Sequence, residues 1–337
     1  MQQVNLHGPG DVRLDEVPRP SPGPRDVVVR VAACGICGSD LGYIELGGVA
    51  GPTGRPTPLG HELAGVVDAA GSEVEGLPPG TRVVVNPLGA GNIIGNGGRE
   101  GGFAPYLLVR NAADGGCVFP IPDGVPFDRA ALAEPLGVAL HAVERVGVRP
   151  ADKVAVFGAG PIGLAATFAL RQLGVTDVVA VDLSPRRLEL ARRLGARAGL
   201  EAGRQDVWRA LRELHGTAAW LGAPMVGTDV YVDAAGHAPL VGEIVASAKQ
   251  GARLSVVALH RGEVPVNFML LMAKQLTIAG SMAYPADYGA MLRMLARADL
   301  TPMVTHRFPL ERFHDALAVA RDPAAGGKVL IEMGQGA

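Results

Sequence analysis

This 337-residue sequence has little of what several protein classes require. Three cysteines are too few for a disulfide framework, and so low a number is typical of a reducing compartment. The 31 basic residues nearly balance the 33 acidic ones and aromatic residues make up 4%, so no basic face with interleaved rings is predicted for nucleic acid. The first residues lack the basic start and apolar stretch of a signal peptide. We therefore expect a cytoplasmic protein without a nucleic-acid partner.

Long uninterrupted hydrophobic runs are also missing. Residues 154–170 contain no charged side chain and approach the length of a membrane span. Glycines and a proline interrupt this stretch, however, and Arg171 ends it. We therefore expect no membrane segment, and a chain of this length is expected to form two domains.

The glycines within that stretch form the strongest motif. The apolar run Lys153–Phe157 leads directly into Gly158-Ala159-Gly160-Pro161-Ile162-Gly163, which has the G-x-G-x-x-G spacing of dinucleotide-binding loops. Gly158 permits the tight turn after the strand, Gly160 removes a side chain that would block the pyrophosphate, and Gly163 lets the helix pack close to the sheet. Amide N–H groups and the positive end of the helix then meet the phosphates, so the whole motif is a candidate cofactor site.

A carboxylate lies where such a motif needs one. Residues 178–181 predict a second buried strand, and Asp182 closes it nineteen residues after Gly163. A ribose 2′-hydroxyl needs an acceptor at this place, and a plain carboxylate at the end of a strand is the alternative. Arg186 and Arg187 follow one helical turn later. A solvated helix face is expected for both, and Arg187 is in addition a candidate cofactor contact.

The pattern of elements changes along the chain. Up to about Arg149, short β-branched runs such as 27–31 and Arg82–Val85 are bounded by proline, glycine and aspartate, which predicts a β-rich domain. From Val154 onward strands and helices alternate, which predicts a doubly wound parallel sheet of about six strands. After Gly280 the alternation stops, and the short remainder is expected to return to the first domain. The predicted fold class is therefore α/β.

Metal-ligating residue types cluster upstream of the glycine motif. Cys34-Gly35-Ile36-Cys37-Gly38-Ser39-Asp40 is followed by Gly60-His61-Glu62. A structural four-sulfur site is excluded because only one further cysteine, Cys117, exists. A redox pair needs its motif at the start of a helix, whereas this one leaves a β-run through glycines. We therefore expect Cys37, His61 and a carboxylate to bind a metal with one position open for substrate, and the other two cysteines to be buried.

In these motifs the chain resembles the zinc-dependent medium-chain dehydrogenases, in particular their sorbitol, threonine and butanediol dehydrogenase branch. The likeness extends over nearly the whole length and is carried by several motifs in the same order, namely Gly35-Ile36-Cys37-Gly38-Ser39-Asp40, Gly60-His61-Glu62, Gly101-Gly102-Phe103-Ala104, Ala133-Glu134-Pro135-Leu136, Gly158 to Gly163 and Gly327-Lys328-Val329. The resemblance implies a GroES-like, β-rich catalytic domain over 1–135 and 282–337. It also implies a Rossmann NAD-binding domain over 136–281.

The resemblance implies one catalytic zinc ion per chain. Cys37 and His61 would bind it, and Glu62 or Glu134 would supply the carboxylate ligand. Asp40 would orient His61 from behind. Capping of a helix or strand is the alternative role for Asp40.

Two further roles follow from the same resemblance. Ser39 would take the proton of the alcohol, and Lys328 would reach the pyrophosphate of the cofactor. The alternatives are a capping role for Ser39 and a solvated charge for Lys328.

Three places depart from the family pattern. The loop 86–102 has seven glycines and no cysteine, so the second, structural zinc of many members is not expected. Gly42 replaces the relay histidine of the family, so the proton must leave Ser39 through ribose hydroxyls and water or through Tyr43. Ala283 stands where polyol dehydrogenases of this branch carry an arginine, which favours a less hydroxylated or cyclic alcohol.

These expectations describe a zinc- and NAD-dependent dehydrogenase that reversibly oxidises a small secondary alcohol to a ketone. Zinc lowers the pKa of a coordinated hydroxyl, hydride passes to the nicotinamide at the cleft between the domains, and domain closure excludes water. A homodimer or homotetramer is expected. The alternatives are a zinc-free NADPH-dependent reductase on the same fold and a non-catalytic NAD-binding sensor. Neither needs the ligand set that Cys37 and His61 belong to.

Overall fold

The structure is a computed structural model that describes residues 1–334. The chain divides into two compact units, unit 1 of Met1–Glu134 with Asp287–Ala337 and unit 2 of Pro135–Ala286. The second division lies a few residues beyond the one expected from the sequence. No helix among the described residues is long and apolar enough to cross a membrane.

Strands make up most of unit 1 and the sheet of unit 2. Within residues 1–334 they are β1 (Gln2–Gly8), β2 (Asp11–Glu16), β3 (Val27–Gly35), β4 (Thr57–Pro58), β5 (Glu62–Ala70), β6 (Arg82–Val85), β7 (Tyr106–Val109), β8 (Val118–Pro120), β9 (Lys153–Phe157), β10 (Asp177–Asp182), β11 (Ala198–Glu201), β12 (Thr217–Trp220), β13 (Ala223–Val226), β14 (Val230–Asp233), β15 (Arg253–Val256), β16 (Thr277–Gly280), β17 (Val304–Pro309) and β18 (Lys328–Glu332).

The helices of the same part of the chain are α1 (Gly38–Leu46), α2 (Phe127–Ala130), α3 (Ala133–Arg145), α4 (Pro161–Gln172), α5 (Pro185–Arg193), α6 (Val207–His215), α7 (Ala238–Ser247), α8 (Phe268–Ala273), α9 (Gly289–Arg297) and α10 (Phe313–Arg321). Short 3-10 turns lie at Gly89–Gly91, Ala112–Asp114, Thr301–Met303, Leu310–Arg312 and Pro323–Ala325.

Two sheets organise unit 1. The larger runs in the order β17-β18-β3-β5-β6-β8 with β7 also paired to β3, and the smaller runs β2-β1-β4. The valine-rich strand β3 is central and is buried along most of its length. It pairs antiparallel with β5, which sets Gly35 opposite Glu62, and with β18, which sets Gly35 opposite Leu330. The start of β5 and the C-terminal strand therefore flank the same end of β3.

The core of unit 1 reaches the loop that precedes β5. Phe103 and Phe313 are fully buried with ring centroids 5.0 Å apart. Gly60 has a φ of +92°, and a Cβ there would lie 2.8 Å from the ring of Phe103. Only glycine fits this close approach in the left-handed region, and it holds the following His61 against the core.

Unit 2 contains the predicted doubly wound sheet. Its six parallel strands run in the order β11-β10-β9-β14-β15-β16. This confirms the α/β class and the sheet of about six strands. The strand order reverses between β9 and β14, and ligands of such sheets bind beyond the carboxyl ends of the strands at that reversal. The edge strand β11 and the hairpin of β12 and β13 were not predicted.

The helices after β9 and β10 begin and end at the signals in the sequence. Helix α4 starts at Pro161 after the N-cap Gly160, and Gly174, with a φ of +84°, follows its end. Helix α5 starts at Pro185, and the hydroxyl of its N-cap Ser184 accepts from a backbone amide of the first turn at 3.4 Å.

Candidate metal centre and nucleotide-binding loop

Cys37 lies at the N-terminus of helix α1. Its amide donates to the Asp40 carboxylate at 2.9 Å, which ties the first turn together. This corrects the sequence argument against a redox pair, which assumed that no helix follows the motif. Burial argues against the pair instead, because Cys34 lies inside β3 with its thiol fully buried, which raises its pKa well above the ordinary value. Burial also raises the pKa of Cys117 to about 11.

Three candidate ligands from two separate parts of unit 1 converge. Cys37 precedes α1, Glu62 begins β5, and His61 lies just before that strand. One ligand atom from each lies within 4.8 Å of the others. Tetrahedral zinc sites hold their ligand atoms roughly 3.5 Å apart, so small side-chain rotations close the difference.

One polar atom of this cluster favours a bound cation. Among the described residues, Glu62 Oε2 is buried without a hydrogen-bond partner. Such an atom is rare in folded proteins and calls for a partner that the polypeptide does not supply. Sulfur, imidazole nitrogen and carboxylate oxygen are the ligand types that zinc takes in proteins. The residues present therefore fit a zinc ion.

Asp40 lies on the Nδ1 side of the His61 ring. This is consistent with the role that the resemblance implies for it, which is to orient the imidazole. Its buried carboxylate is 3.6 Å from His61 Nδ1 and accepts from the Gly60 amide at 3.4 Å. Burial raises the pKa of Asp40. Burial alone would lower the pKa of His61, but the negative charges of Asp40 and Cys37 raise it well above its ordinary value. Surroundings that favour a proton on His61 in this way also favour a metal cation.

Lys328 occupies a different place from the one expected. Its side chain is 1% exposed, and its ammonium group donates to Glu62 Oε1 at 2.6 Å and to the Ile36 carbonyl at 3.0 Å. The expectation that Lys328 reaches a pyrophosphate is wrong, because β18 pairs with β3 and carries this side chain into the interior of unit 1. Burial lowers the pKa of Lys328, but the charge of Glu62 more than offsets this and the pKa is raised.

The other oxygen of Glu62 fills the space left by a missing side chain. A Cβ on Gly35 would lie 2.0 Å from Glu62 Oε2. Glycine at this position of the cysteine motif therefore admits the carboxylate beside β3. In the sequence, the only sign of this pair is a lysine directly before the three apolar residues 329–331 of β18.

Glu134 lies near the centre without joining its closest group. It sits in the first turn of α3, is 6% exposed, and is among the charges that act on His61 and Lys328. The group of closest ligand atoms contains Glu62 instead. The structure thus brings both candidate carboxylates to the centre, with Glu62 nearer to Cys37 and His61.

Ser39 and Tyr43 lie on the side of His61 away from Asp40. Ser39 Oγ is 3.5 Å from His61 Nε2, and the Tyr43 hydroxyl donates to Asn96 Oδ1 at 3.1 Å. Burial raises the pKa of Tyr43, and a hydrogen bond with Ser39 opposes that effect. Asn96 was not predicted, because nothing in the sequence shows that its glycine-rich loop folds back onto α1.

The three glycines of the motif in unit 2 have different structural reasons. Gly158 has a φ of +87°, and a Cβ there would lie 2.7 Å from the Ala234 carbonyl oxygen. An added Cβ on Gly160 meets nothing within 4 Å, so it would enter open space at the start of α4. On Gly163 it would lie 1.7 Å from the Gly158 carbonyl oxygen. The third glycine is therefore required by the loop itself, whereas we expected it to serve packing of the helix on the sheet.

The first turn of α4 presents its backbone to the same open space. Pro161 and Ile162 begin the helix, and no side chain of the described residues caps it. Helix N-termini with uncapped N–H groups bind anions such as a pyrophosphate.

Asp182 ends the neighbouring strand β10 and contacts the glycine loop. Its Oδ2 accepts from the Ala159 amide at 2.6 Å, and its Oδ1 accepts from the Ser184 amide at 2.8 Å. Each oxygen keeps a second lone pair that a ribose hydroxyl could use. Arg187 is half-buried in the first turn of α5, and Arg186 is exposed.

Comparisons with known proteins cover both units. Residues 23–123 match the family model of the alcohol dehydrogenase GroES-like domain, and residues 161–297 match that of the zinc-binding dehydrogenases. The chain is 34% identical to human sorbitol dehydrogenase in an alignment of 346 positions, gaps included, that covers 97% of this chain and 94% of that protein.

Solved structures show the same likeness over the full length. The 2R,3R-butanediol dehydrogenase of Bacillus subtilis superposes with a TM-score of 0.85 at 27% identity and covers 98% of this chain and 99% of its own. An alcohol dehydrogenase of Escherichia coli CFT073, determined in complex with the cofactor NADH, gives 0.85 at 25% identity with coverages of 98% and 99%. The chain is an oxidoreductase and belongs to the zinc-dependent medium-chain alcohol and polyol dehydrogenase family.

Proposed function

We propose that this protein reversibly oxidises a small secondary alcohol to a ketone, with one zinc ion per chain and NAD as hydride acceptor. The observation that carries this proposal is the cluster of Cys37, His61 and Glu62, which includes a buried carboxylate oxygen, Glu62 Oε2, without a protein partner. Zinc bound by these residues supplies Lewis-acid chemistry, which lowers the pKa of a coordinated hydroxyl and polarises a carbonyl.

Some residues of the cluster would bind the ion directly, and others would hold those ligands in position. Cys37 and His61 supply the sulfur and nitrogen ligands, and Asp40 fixes the orientation of the imidazole. Lys328 engages one oxygen of Glu62 and leaves Oε2 for the ion. Glu62 is therefore our proposed carboxylate ligand, with Glu134 acting from just outside the ligand group.

Ser39 is the residue best placed to receive the alcohol proton, because its Oγ lies 3.5 Å from His61 Nε2. Tyr43 does not extend a relay from it. The Tyr43 hydroxyl already donates to Asn96 Oδ1, and an amide oxygen is not a base that could take the proton onward. Gly42 has no side chain to offer, so the proton leaves Ser39 through water or ribose hydroxyls.

NAD is our proposed cofactor in preference to NADP. The Asp182 carboxylate lies at the end of β10 and is bonded to the glycine loop, where it would accept from ribose hydroxyls. A 2′-phosphate at the same place would meet its negative charge.

The proposed substrate is a secondary alcohol with few hydroxyl groups or a cyclic one. Ala283, which replaces the arginine expected of polyol dehydrogenases, has a φ of +64°. Its methyl group can donate no hydrogen bond to a substrate hydroxyl, whereas the arginine it replaces carries five donors.

Metal analysis with matched cysteine variants tests the centre. Cys37→Ser should lose the zinc and the activity while NADH binding persists in unit 2, because the nucleotide loop contains none of these ligands. Cys117→Ser removes a thiol elsewhere in unit 1 and should keep the metal. Full activity of the parent protein without a tightly bound metal would overturn the proposal.

A second pair of variants tests the carboxylate. Glu62→Gln should lower zinc affinity by roughly tenfold or more, and Glu134→Gln should lower it less while still reducing turnover. The reverse order of metal affinities would assign the ligand role to Glu134.

A panel of secondary alcohols with NAD and NADP tests the reaction. Reduction of NAD by at least one linear or cyclic alcohol is expected. Activity only with NADPH in a metal-free protein would favour the reductase, and cofactor binding without turnover of any alcohol would favour the sensor.

We also propose that the protein is a homodimer or homotetramer. In unit 2 the outer edge of β16 is unpaired among the described residues, and α8, which precedes β16 in the chain, exposes Phe268, Met269 and Met272. Open strand edges and exposed apolar side chains are both typical of interfaces between copies. Light scattering after size-exclusion chromatography tests this, and a monomeric mass near 34.7 kDa would contradict it.

A further inference from the structure

Two side-chain atoms at the carboxyl edge of the sheet in unit 2 are buried and lack a partner among the described residues. They are His260 Nδ1, in the loop after β15, and Ser281 Oγ, directly after β16. Buried polar atoms of this kind are normally satisfied, so a molecule that the chain does not supply is the natural partner. Neither residue belongs to the glycine loop or to the metal cluster.

The ring of His260 is held rigidly from its other side. Its Nε2 lies 2.7 Å from the carboxylate of Asp233, which ends β14 and is fully buried. The second oxygen of Asp233 accepts from the amides of Ala235 and Gly236, each at 3.0 Å. A Cβ on Gly236 would lie 2.9 Å from the Leu259 carbonyl oxygen, so the loops after β14 and β15 are closely packed. Both loops therefore fix where the imidazole points.

The contact with Asp233 decides which chemistry the free nitrogen can recognise. A carboxylate only accepts hydrogen bonds, so Nε2 of His260 carries the proton. In the neutral ring Nδ1 is then an acceptor, and its partner must be a donor. A phosphate group offers no donor, whereas a ribose hydroxyl and a carboxamide N–H₂ both do. The hydroxyl of Ser281 can donate or accept beside it.

The positions of His260 and Ser281 in the sheet indicate which half of a dinucleotide they would contact. The glycine loop and Asp182 follow β9 and β10, in the first three-stranded half of the sheet. His260 and Ser281 follow β15 and β16, in the second half. Sheets of this kind bind one mononucleotide on each half, on either side of the reversal in strand order. At that reversal the two halves touch, because Gly158 lies against the Ala234 carbonyl.

We propose that His260, oriented by Asp233, binds the nicotinamide-ribose half of the dinucleotide by accepting a hydrogen bond at Nδ1, with Ser281 as a second contact. The donor is a ribose hydroxyl or the carboxamide. This inference rests on the proposed use of NAD. Asp233 is the positioning residue, and the sequence motif does not include either side chain.

Binding measurements with two variants test the contact without relying on activity. In His260→Gln the amide can reach Asp233 as Nε2 does, but no polar atom remains at the place of Nδ1. In His260→Asn the amide lies near the place of Nδ1, and the contact with Asp233 is lost. Dissociation constants for NADH, ADP-ribose and ADP are measured by calorimetry on each protein and on the parent.

The expected result is a loss confined to ligands with the nicotinamide-ribose half. NADH affinity of His260→Gln should fall about three- to tenfold, ADP affinity should not change, and His260→Asn should recover part of the NADH affinity. An ADP-ribose affinity that falls with that of NADH identifies the ribose as the donor, and an unchanged one identifies the carboxamide.

Three results would overturn the inference. They are an unchanged NADH affinity in His260→Gln, an equal loss for ADP, which shows general damage to the site, and no recovery in His260→Asn. If His260→Gln does not fold, the ¹⁵N resonance of His260 Nδ1 in the parent protein, assigned with His260→Asn, should move on adding NADH and stay unmoved on adding ADP. A parent protein that binds no NADH refutes the proposed cofactor as well. If the parent binds NADH and His260→Gln binds it with the same affinity, only this contact is refuted.

Discussion

Replacing Gly160 with alanine is expected to weaken cofactor binding and leave stability unchanged, whereas replacing Gly163 with alanine is expected to lower stability. Gly160→Ala places its methyl group in open space at the start of α4, and the backbone there has φ −68° and ψ −176°, which alanine adopts readily. Gly163→Ala places its methyl group 1.7 Å from the Gly158 carbonyl oxygen, half of the 3.4 Å at which ordinary contact begins. Gly160→Ala should therefore lower the affinity for the cofactor, and Gly163→Ala should lower the stability of the fold.

The magnitudes follow from those distances. Gly160→Ala should change the free energy of unfolding by less than about 0.5 kcal/mol, because no atom of the protein has to move. NADH affinity should fall by roughly tenfold, about 1.4 kcal/mol, because the methyl group lies where the pyrophosphate must approach the helix. Gly163→Ala forces the loop away from the helix and should cost about 1–3 kcal/mol, or roughly 3–10 °C in melting temperature.

Thermal melts and NADH fluorescence titrations on the same preparations check both halves of this prediction. Each variant is the control for the other, since both add one methyl group within four residues of the same loop. An unchanged NADH affinity in Gly160→Ala would refute the assignment of the pyrophosphate to this loop. A parental melting temperature in Gly163→Ala would show that the loop moves aside at little cost and would refute the packing argument.

Four further predictions concern other sites. Burial lowers the pKa of His215 to about 4, so below pH 6.5 the unfolded chain binds a proton that the folded chain does not. The free energy of unfolding should therefore fall by up to about 3 kcal/mol between pH 6.5 and 4. Denaturant titrations of the parent and His215→Gln check this, and the same pH dependence of the free energy of unfolding in both proteins would contradict it. Asp182→Ala should raise kcat/KM with NADP relative to NAD, and equal use of both cofactors by the parent would already exclude the assignment. Ala283→Arg should raise kcat/KM for a polyol relative to a cyclic alcohol, and an unaltered ratio would remove this position from the substrate site. Gly42→His should raise turnover at low pH, by up to about 10²-fold where proton release from Ser39 limits the rate, and an unchanged solvent isotope effect would show that release is not limiting.

The doubly wound unit of the fold was accessible from the sequence because its signals are local. The run Lys153–Phe157, the glycine spacing after it and the capping residue Ser184 each act within a few positions of the backbone they shape. Hydrophobic periodicity and turn chemistry depend on near neighbours, so they can be read without knowing the tertiary structure. The elements that the sequence did not predict have little hydrophobic periodicity. They are the edge strand β11 and the hairpin of β12 and β13.

The amino-acid sequence by itself determined the α/β class, the glycine loop after β9 and the set of residue types available for a metal. Only the tertiary structure decided which of those residues meet. Lys328 is 266 residues from Glu62 along the chain, and the two meet because β18 and β5 both pair with β3 and close on its end. His260 meets Asp233 because parallel strands deliver their carboxyl ends to one edge. Such contacts depend on strand register and burial, which are properties of the whole packed sheet, so no local pattern of residues encodes them.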